Sequence, residues 1–301
     1  MNENEIVAKL KKHFPRIGDD AAIVDGQVIT TDMLLEDVDF TRAVALPRIA
    51  RKSLAVNVSD IAAMGARPAY AVVALGLPEW ADVDALIGGF AEAAREFAIE
   101  IVGGDLSRAE KLIISIAAVG TIETRPLLRS GARPGDRLYL SRPIGGSAAG
   151  LELLQRGFEG AGYAQRETAQ SAIRRHLDPE PEVALGLALA AIDEVTACID
   201  VSDGLSTDLH HLCDASKCGA EIERARIPVF PDLASLGVNV ANAVLHGGEE
   251  YALLFTASMR EAELSERVGR PVYAIGRVTG GREVTLDGQP LEAQGFDHFA
   301  K

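Results

Sequence analysis

The chain has 301 residues, 48% of them hydrophobic, a net charge of −14 and a mean hydropathy of +0.10. That apolar content fills either one large domain or two ordinary ones. With 30 Lys and Arg against 44 Asp and Glu, the charge argues against a nucleic-acid partner, whose phosphates call for clustered cations.

In chain order, Ile6, Val7, Leu10 and Phe14 fall at helical spacing, and the loop Gly18-Asp19-Asp20 follows. A strand is expected over Gln27 to Thr31, stopping at Asp32 within Thr30-Thr31-Asp32, with a second acidic loop beyond it. Pro47 suits a helix first turn and Gly65 its C′ position, so Pro47 to Met64 reads as a buried helix. Asn57, Ser59 and Asp60 interrupt its apolar run. Asn57 and Asp60 are neighbours at i and i+3, and a cation would offset the cost of burying the carboxylate. A solvated patch on a half-exposed helix is the competing reading. A further helix carries Leu86, Phe90 and Phe97, then a strand from Ile99 to Val102 ends on Gly103-Gly104-Asp105, and another spans Leu112 to Val119.

Gly131-Ala132-Arg133-Pro134-Gly135-Asp136 marks a boundary, which divides the chain into domains 1–132 and 133–301. The second domain is expected to hold a strand over Arg137 to Leu140, helices after Gly145-Gly146-Ser147 and Pro179-Glu180-Pro181, and a strand from Val195 to Val201. A helix through Leu205, Leu209 and Leu212 follows, with strands near Tyr251 to Phe255 and Val272 to Ile275, and a hairpin at Asp287-Gly288. The fold class is α/β. In Asp200-Val201-Ser202-Asp203-Gly204 a strand passes into a helix, where Ser202 or Asp203 could cap while free amides face a phosphate.

Each acidic signature alone is ordinary turn or capping chemistry. Together they suggest magnesium, which takes oxygen ligands and is usually held by one or two carboxylates plus substrate phosphates. The familiar phosphate loop, the protein-kinase series and His-Glu-x-x-His are absent. Gly145 to Gly150 does not fit a nucleophile elbow, and His210-His211 read as surface or packing residues. Cys198, Cys213 and Cys218 form no CxxC pair and suit free thiols in a reducing compartment. Met1 to Glu5 lacks a basic n-region, and no run approaches ~20 apolar residues, so a soluble cytoplasmic protein without a membrane partner is expected.

The series Gly18 to Ala22, Thr30 to Leu34, Lys52 to Pro68, Gly103-Gly104-Asp105, Arg129 to Ala132, Asp200 to Asp208, Gly247 to Tyr251 and Gly295 to Phe299 resembles the thiamine-monophosphate kinase family in order and spacing. The wider superfamily is that of aminoimidazole ribonucleotide synthetase. The resemblance implies a two-domain α/β fold and a homodimer formed through the N-terminal domains. It also implies ATP-dependent phosphorylation of thiamine monophosphate with several magnesium ions. Carried over by position, Asp20, Thr30, Thr31, Asp32, Asp60, Asp105, Asp200 and Asp203 would hold metal. Gly104, Asp105, Arg129 and Ser202 would contact ATP. Asp39, Glu249 and Phe296 would lie at the substrate, with no dedicated catalytic side chain. The chain departs from the family pattern at Asp39, where a His is usual, at Leu106-Ser107 where threonines are common, at Glu250 for Asp, and at Gly146 for an acidic residue. Another ATP-using member of the superfamily, or a silent nucleotide-binding dimer, are the alternative readings.

Overall fold

A computed structural model describes residues 3–157, 163–296 and 298–299. The first half contains α1 (Glu3–His13), β1 (Ala22–Val24), β2 (Gln27–Leu35), α2 (Leu46–Ala63), β3 (Arg67–Leu77), α3 (Val83–Glu96), β4 (Glu100–Arg108) and β5 (Ile113–Thr121). Its five strands form one sheet in the order β1-β2-β5-β3-β4. Helix α2 lies against β2 and β5, with Ile49, Leu54, Val58 and Ile61 fully buried, and Gly65 closes it at φ 64°.

Two strand ends differ from the sequence expectation. β2 continues through Asp32 to Leu35 because it pairs with β5 along its whole length, Gln27 opposite Thr121 to Leu35 opposite Ile113. Pairing outweighs the local tendency of an acidic residue to end a strand. β4 likewise runs through Gly103-Gly104-Asp105, in parallel register with Val72, Val73 and Ala74. A Cβ on Gly104 would collide with the Val73 carbonyl, so this glycine serves a close backbone approach rather than a turn.

The second half contains β6 (Arg137–Leu140), α4 (Gly146–Gln155), α5 (Tyr163–Leu177), α6 (Val183–Ala190), β7 (Val195–Asp200), α7 (Leu205–Ser216), β8 (Gly219–Ile222), α8 (Val240–Leu245), β9 (Leu253–Ala257), α9 (Glu261–Val268), β10 (Tyr273–Thr279), β11 (Val284–Leu286) and β12 (Gln289–Pro290). The sheet order is β12-β11-β8-β10-β6-β9-β7. Asp287 and Gly288, at φ 51° and 76°, make the two-residue turn between β11 and β12. The strand expected from Tyr251 starts only at Leu253, since Tyr251 sits at φ 49° and sends its ring into the core of the first half.

The halves meet along α2. Arg48 forms a two-pronged contact with Asp178 at 2.6 and 2.5 Å, and Arg51 donates to the Pro179 carbonyl at 2.9 Å. Gly186 of α6 lies so close to α2 that a Cβ there would strike the Ala62 carbonyl. On the opposite face of the first sheet Ile29, Met33, Tyr70 and Val72 are left exposed among the described residues.

Candidate active site

Along the α2 seam three chain segments each deliver a carboxylate. Asp20 ends the first acidic loop, Asp60 belongs to the last turn of α2, and Asp200 ends β7. One oxygen from each lies within 4.8 Å of the others. Thr30 Oγ1 donates to Asp60 Oδ2, and Ser59 Oγ donates to Asp200 Oδ2 at 2.5 Å. Arg129 holds Asp20 Oδ1 through Nη2 at 2.7 Å and Nε at 3.1 Å, while its backbone N–H donates to Asp19 at 2.7 Å. Asp20 Oδ2 is buried and, among the described residues, has no hydrogen-bond partner.

Burial, then repulsion from Asp32, Asp200 and Asp20, pushes the Asp60 carboxyl well above its usual range. Burial and Asp20 do the same to Asp200. Burial opposes the charge on Arg129, yet Asp20 and Asp208 outweigh it and hold the guanidinium more firmly protonated. An orphaned buried oxygen amid mutually repelling carboxylates is the environment a hard divalent cation relieves, and the all-oxygen donor set suits magnesium. The residues therefore fit such an ion.

Asn57 does not join them. Its Oδ1 accepts the Asp32 N–H at 3.1 Å and its Nδ2 donates to the Ser53 carbonyl at 3.0 Å, so backbone groups use its amide. Asp32 sits on β2 beside this group, its carboxyl pushed up to about 6 by burial and by Asp39. Asp39 Oδ2 accepts the Leu35 N–H at 2.7 Å, and burial raises its carboxyl too.

A second group, Asp203, Asp208 and His211, gathers at the start of α7 with ligand atoms within 4.8 Å. The cap expected from Ser202 or Asp203 is not formed. Gly204 occupies the N-cap at φ 120°, and Asp208 Oδ2 accepts the N–H groups of Asp203 at 3.1 Å and Gly204 at 3.0 Å. The N–H groups of Asp203 and Gly204 are thus taken up from within the helix. Ser202 instead offers its carbonyl to the Glu249 N–H at 2.7 Å. A 430 Å³ cavity opens here, lined by Lys11, Gly18, Arg129, Asp203, His211 and Phe296. Phe296 therefore shares a cavity with Arg129 and Asp203 rather than with Glu249. Its N–H donates to the Asp203 carbonyl at 3.0 Å, and its ring meets His298 edge-on at 4.7 Å. Asp297 lies outside the described residues.

Glu249 stands at φ 58° in the loop before β9, 2.6 Å from Lys52 Nζ and 3.1 Å from His176 Nδ1. The next residue fixes that loop. Buried Glu250 accepts the N–H groups of Gly145 and Ser147, each at 2.8 Å, and faces Arg175 at 3.4 Å. Its neighbour Gly146 has no room for a side chain, because a Cβ would lie 2.5 Å from the Phe230 ring.

Three sequence candidates are not brought to the carboxylate group within one chain. Strand alternation places Thr31 on the face opposite Thr30 and Asp32. Asp105 shares that outer face, registered through Ala74 and Ser115 with Met33. Gly104 lies three strands from Asp32, roughly 14 Å at the usual strand spacing, and borders a 960 Å³ groove between α3 and β4. Sequence reasoning passed over Lys52, Asp208 and His211 as individual site residues. The available signal was a lysine at a core position of α2, eight residues before Asp60.

Residues 18–122 match the family described as AIR synthase related protein, N-terminal domain, and residues 133–289 match its C-terminal domain. The chain is 38% identical to the thiamine-monophosphate kinase of Escherichia coli K12 over 94% of this chain and 91% of that protein. It is 35% identical to that of Bacillus subtilis 168, covering 94% and 93%. A solved structure described as AaThiL complexed with AMPPCP and TMP superposes with a TM-score of 0.90 at 34% identity, over 99% of this chain and 97% of that one. The hydrogenase maturation protein HypE, at 21% identity and a TM-score of 0.71 over 94% and 93% of the two chains, shares the fold alone.

Proposed function

The chain belongs to the thiamine-monophosphate kinase family, and from that premise we propose that it transfers the γ-phosphoryl group of ATP to thiamine monophosphate, yielding ADP and thiamine diphosphate. The observation that carries the reading is the convergence of Asp20, Asp60 and Asp200, from three segments, into one buried group with an orphaned oxygen.

The attacking oxygen belongs to a phosphate monoester, mostly dianionic at neutral pH because its second pKa is about 6. It needs no strong general base. The barrier is repulsion between two polyanions, and the remedy is alignment and charge neutralisation for an in-line displacement. Asp20, Asp60 and Asp200 would hold magnesium, with Asp32 and Asp203 at the margins. The chemistry such an ion would supply when bound is neutralisation of phosphate charge. Thr30 and Ser59 orient Asp60 and Asp200 by hydrogen bonds. Arg129 and Phe296 line the cavity suited to the nucleotide, and Glu249 faces the cationic part of the substrate.

The uncovered outer face of the first sheet supports a homodimer. Ile29, Tyr70 and Val72 are exposed in adjacent rows of that face, and an apolar face of this kind marks an interface. Thr31 and Asp105 would then approach the second copy. Among the described residues no helix is long and apolar enough to cross a membrane, and the free buried cysteines suit a reducing cytoplasm. Purified protein given ATP and thiamine monophosphate, with free thiamine as control acceptor, tests the activity. Thiamine diphosphate formed from the monophosphate supports the reading, and ATP binding without product would overturn it.

A further inference from the structure

Lys52 has no part in the reaction as described. It projects from α2 with its side chain only 4% exposed, and its ammonium lies 2.6 Å from Glu249 Oε1. Among the described residues the ammonium makes this ion pair and has no further acceptor. An ammonium carries three donors, and enclosing one is costly unless partners satisfy it. Spare donors in a site built for a phosphorylated substrate are an anion-binding resource.

The surroundings sharpen this. Glu249 turns its other oxygen to His176 Nδ1 at 3.1 Å. Burial, followed by the Lys52 charge, lowers that ring to about 3, so it is neutral at physiological pH. Lys52 is therefore the cation that faces Glu249, and its charge also reaches Asp39, next to Asp32. Lys52 and Glu249 thus face one another at the edge of the carboxylate group. Thiamine monophosphate itself carries both signs of charge, a cationic thiazolium ring and, on that ring's two-carbon side chain, a phosphate.

Resting on the function proposed above, we infer that Lys52 binds the substrate phosphate, and that the Lys52–Glu249 ion pair is exchanged on binding. The phosphate takes Lys52 and the thiazolium takes Glu249. No buried charge is left uncompensated before or after the exchange, which keeps its cost low. Free thiamine would claim Glu249 and leave the Lys52 ammonium buried without an anion, so the exchange selects the phosphorylated substrate.

Calorimetry on the full chain tests this with thiamine monophosphate and thiamine as separate ligands. In Lys52→Met the monophosphate should bind at least about tenfold more weakly, equivalent to 1.4 kcal/mol, while thiamine binds as well as before or more tightly. Monophosphate affinity within threefold of wild type, or an equal loss for both ligands, would overturn the assignment. Should Lys52→Met fail to fold, Glu249→Gln reports independently. It leaves Lys52 without its competing anion, so inorganic phosphate should bind severalfold more tightly, and unchanged phosphate affinity would overturn the proposal. Phosphate binding does not require turnover, so a wild-type enzyme that makes no thiamine diphosphate would defeat the functional reading and leave this test standing.

Discussion

Replacing Asp32 by Asn separates the cost of the site from its use. In the folded chain burial and Asp39 raise the Asp32 carboxyl from 3.8 to about 6. The native state therefore holds this proton more tightly than the unfolded chain, and metal-free stability falls as pH rises from about 4 to about 6. The shift of roughly two units corresponds to at most about 3 kcal/mol. Asn resembles the protonated form, so Asp32→Asn should match wild type below pH 4 and exceed it above pH 6. For a chain of this size that gain is at most about 5 °C in Tm. The strand itself should survive, because the Asp32 contact with Asn57 uses the backbone N–H. Magnesium should narrow the gap by stabilising the wild type, and turnover by the variant should fall by about 10²-fold or more. Melting from pH 3.5 to 8 in EDTA and in magnesium reads all of this. A stability gap independent of pH, or a variant less stable than wild type at pH 8, would show that the Asp32 charge does not strain the metal-free fold.

Three further outcomes follow from the same geometry. Arg129→Met strips the buried Asp20 carboxylate of its guanidinium partner and should cost about 3–5 kcal/mol in urea unfolding without metal, with magnesium restoring part of it; no magnesium effect would count against the ion site. Glu250→Ala orphans the amides of Gly145 and Ser147, so a loss of about 2–4 kcal/mol is expected, together with a raised KM for thiamine monophosphate as the loop carrying Glu249 loosens. Gly104→Ala drives a Cβ into the Val73 carbonyl and should destabilise by about 1–3 kcal/mol, measured by denaturant titration.

Much of this was legible from the residues. The α2 helix announced itself through Pro47, its apolar spacing and Gly65, and the β11–β12 hairpin through Asp287-Gly288. The aspartates that converge beside α2 stand out in the sequence because acidic residues interrupt apolar runs. Facing was less accessible. Thr30, Thr31 and Asp32 form one motif in sequence, yet alternation sends the middle residue to the opposite side of the sheet. Gly103-Gly104 reads locally as a turn, and only the packing of β4 on β3 shows why glycine is required. The start of α7 misled in a related way, since its cap comes from Asp208 inside the helix rather than from the residues before it. Lys52 looked like one lysine in an amphipathic helix, because its partner Glu249 is 197 positions away and arrives only when the halves close on α2.

On the proposed function the buried Asp20, Asp60 and Asp200 group is a magnesium centre serving phosphoryl transfer to thiamine monophosphate. Its most direct test is thiamine diphosphate formation as a function of magnesium concentration, in wild type and in Asp60→Asn. Saturable magnesium-dependent product is expected in wild type, and in the variant a loss of about 10²-fold or more with a stable fold. Product without any divalent ion, or an Asp60→Asn enzyme with the wild-type magnesium dependence, would contradict it.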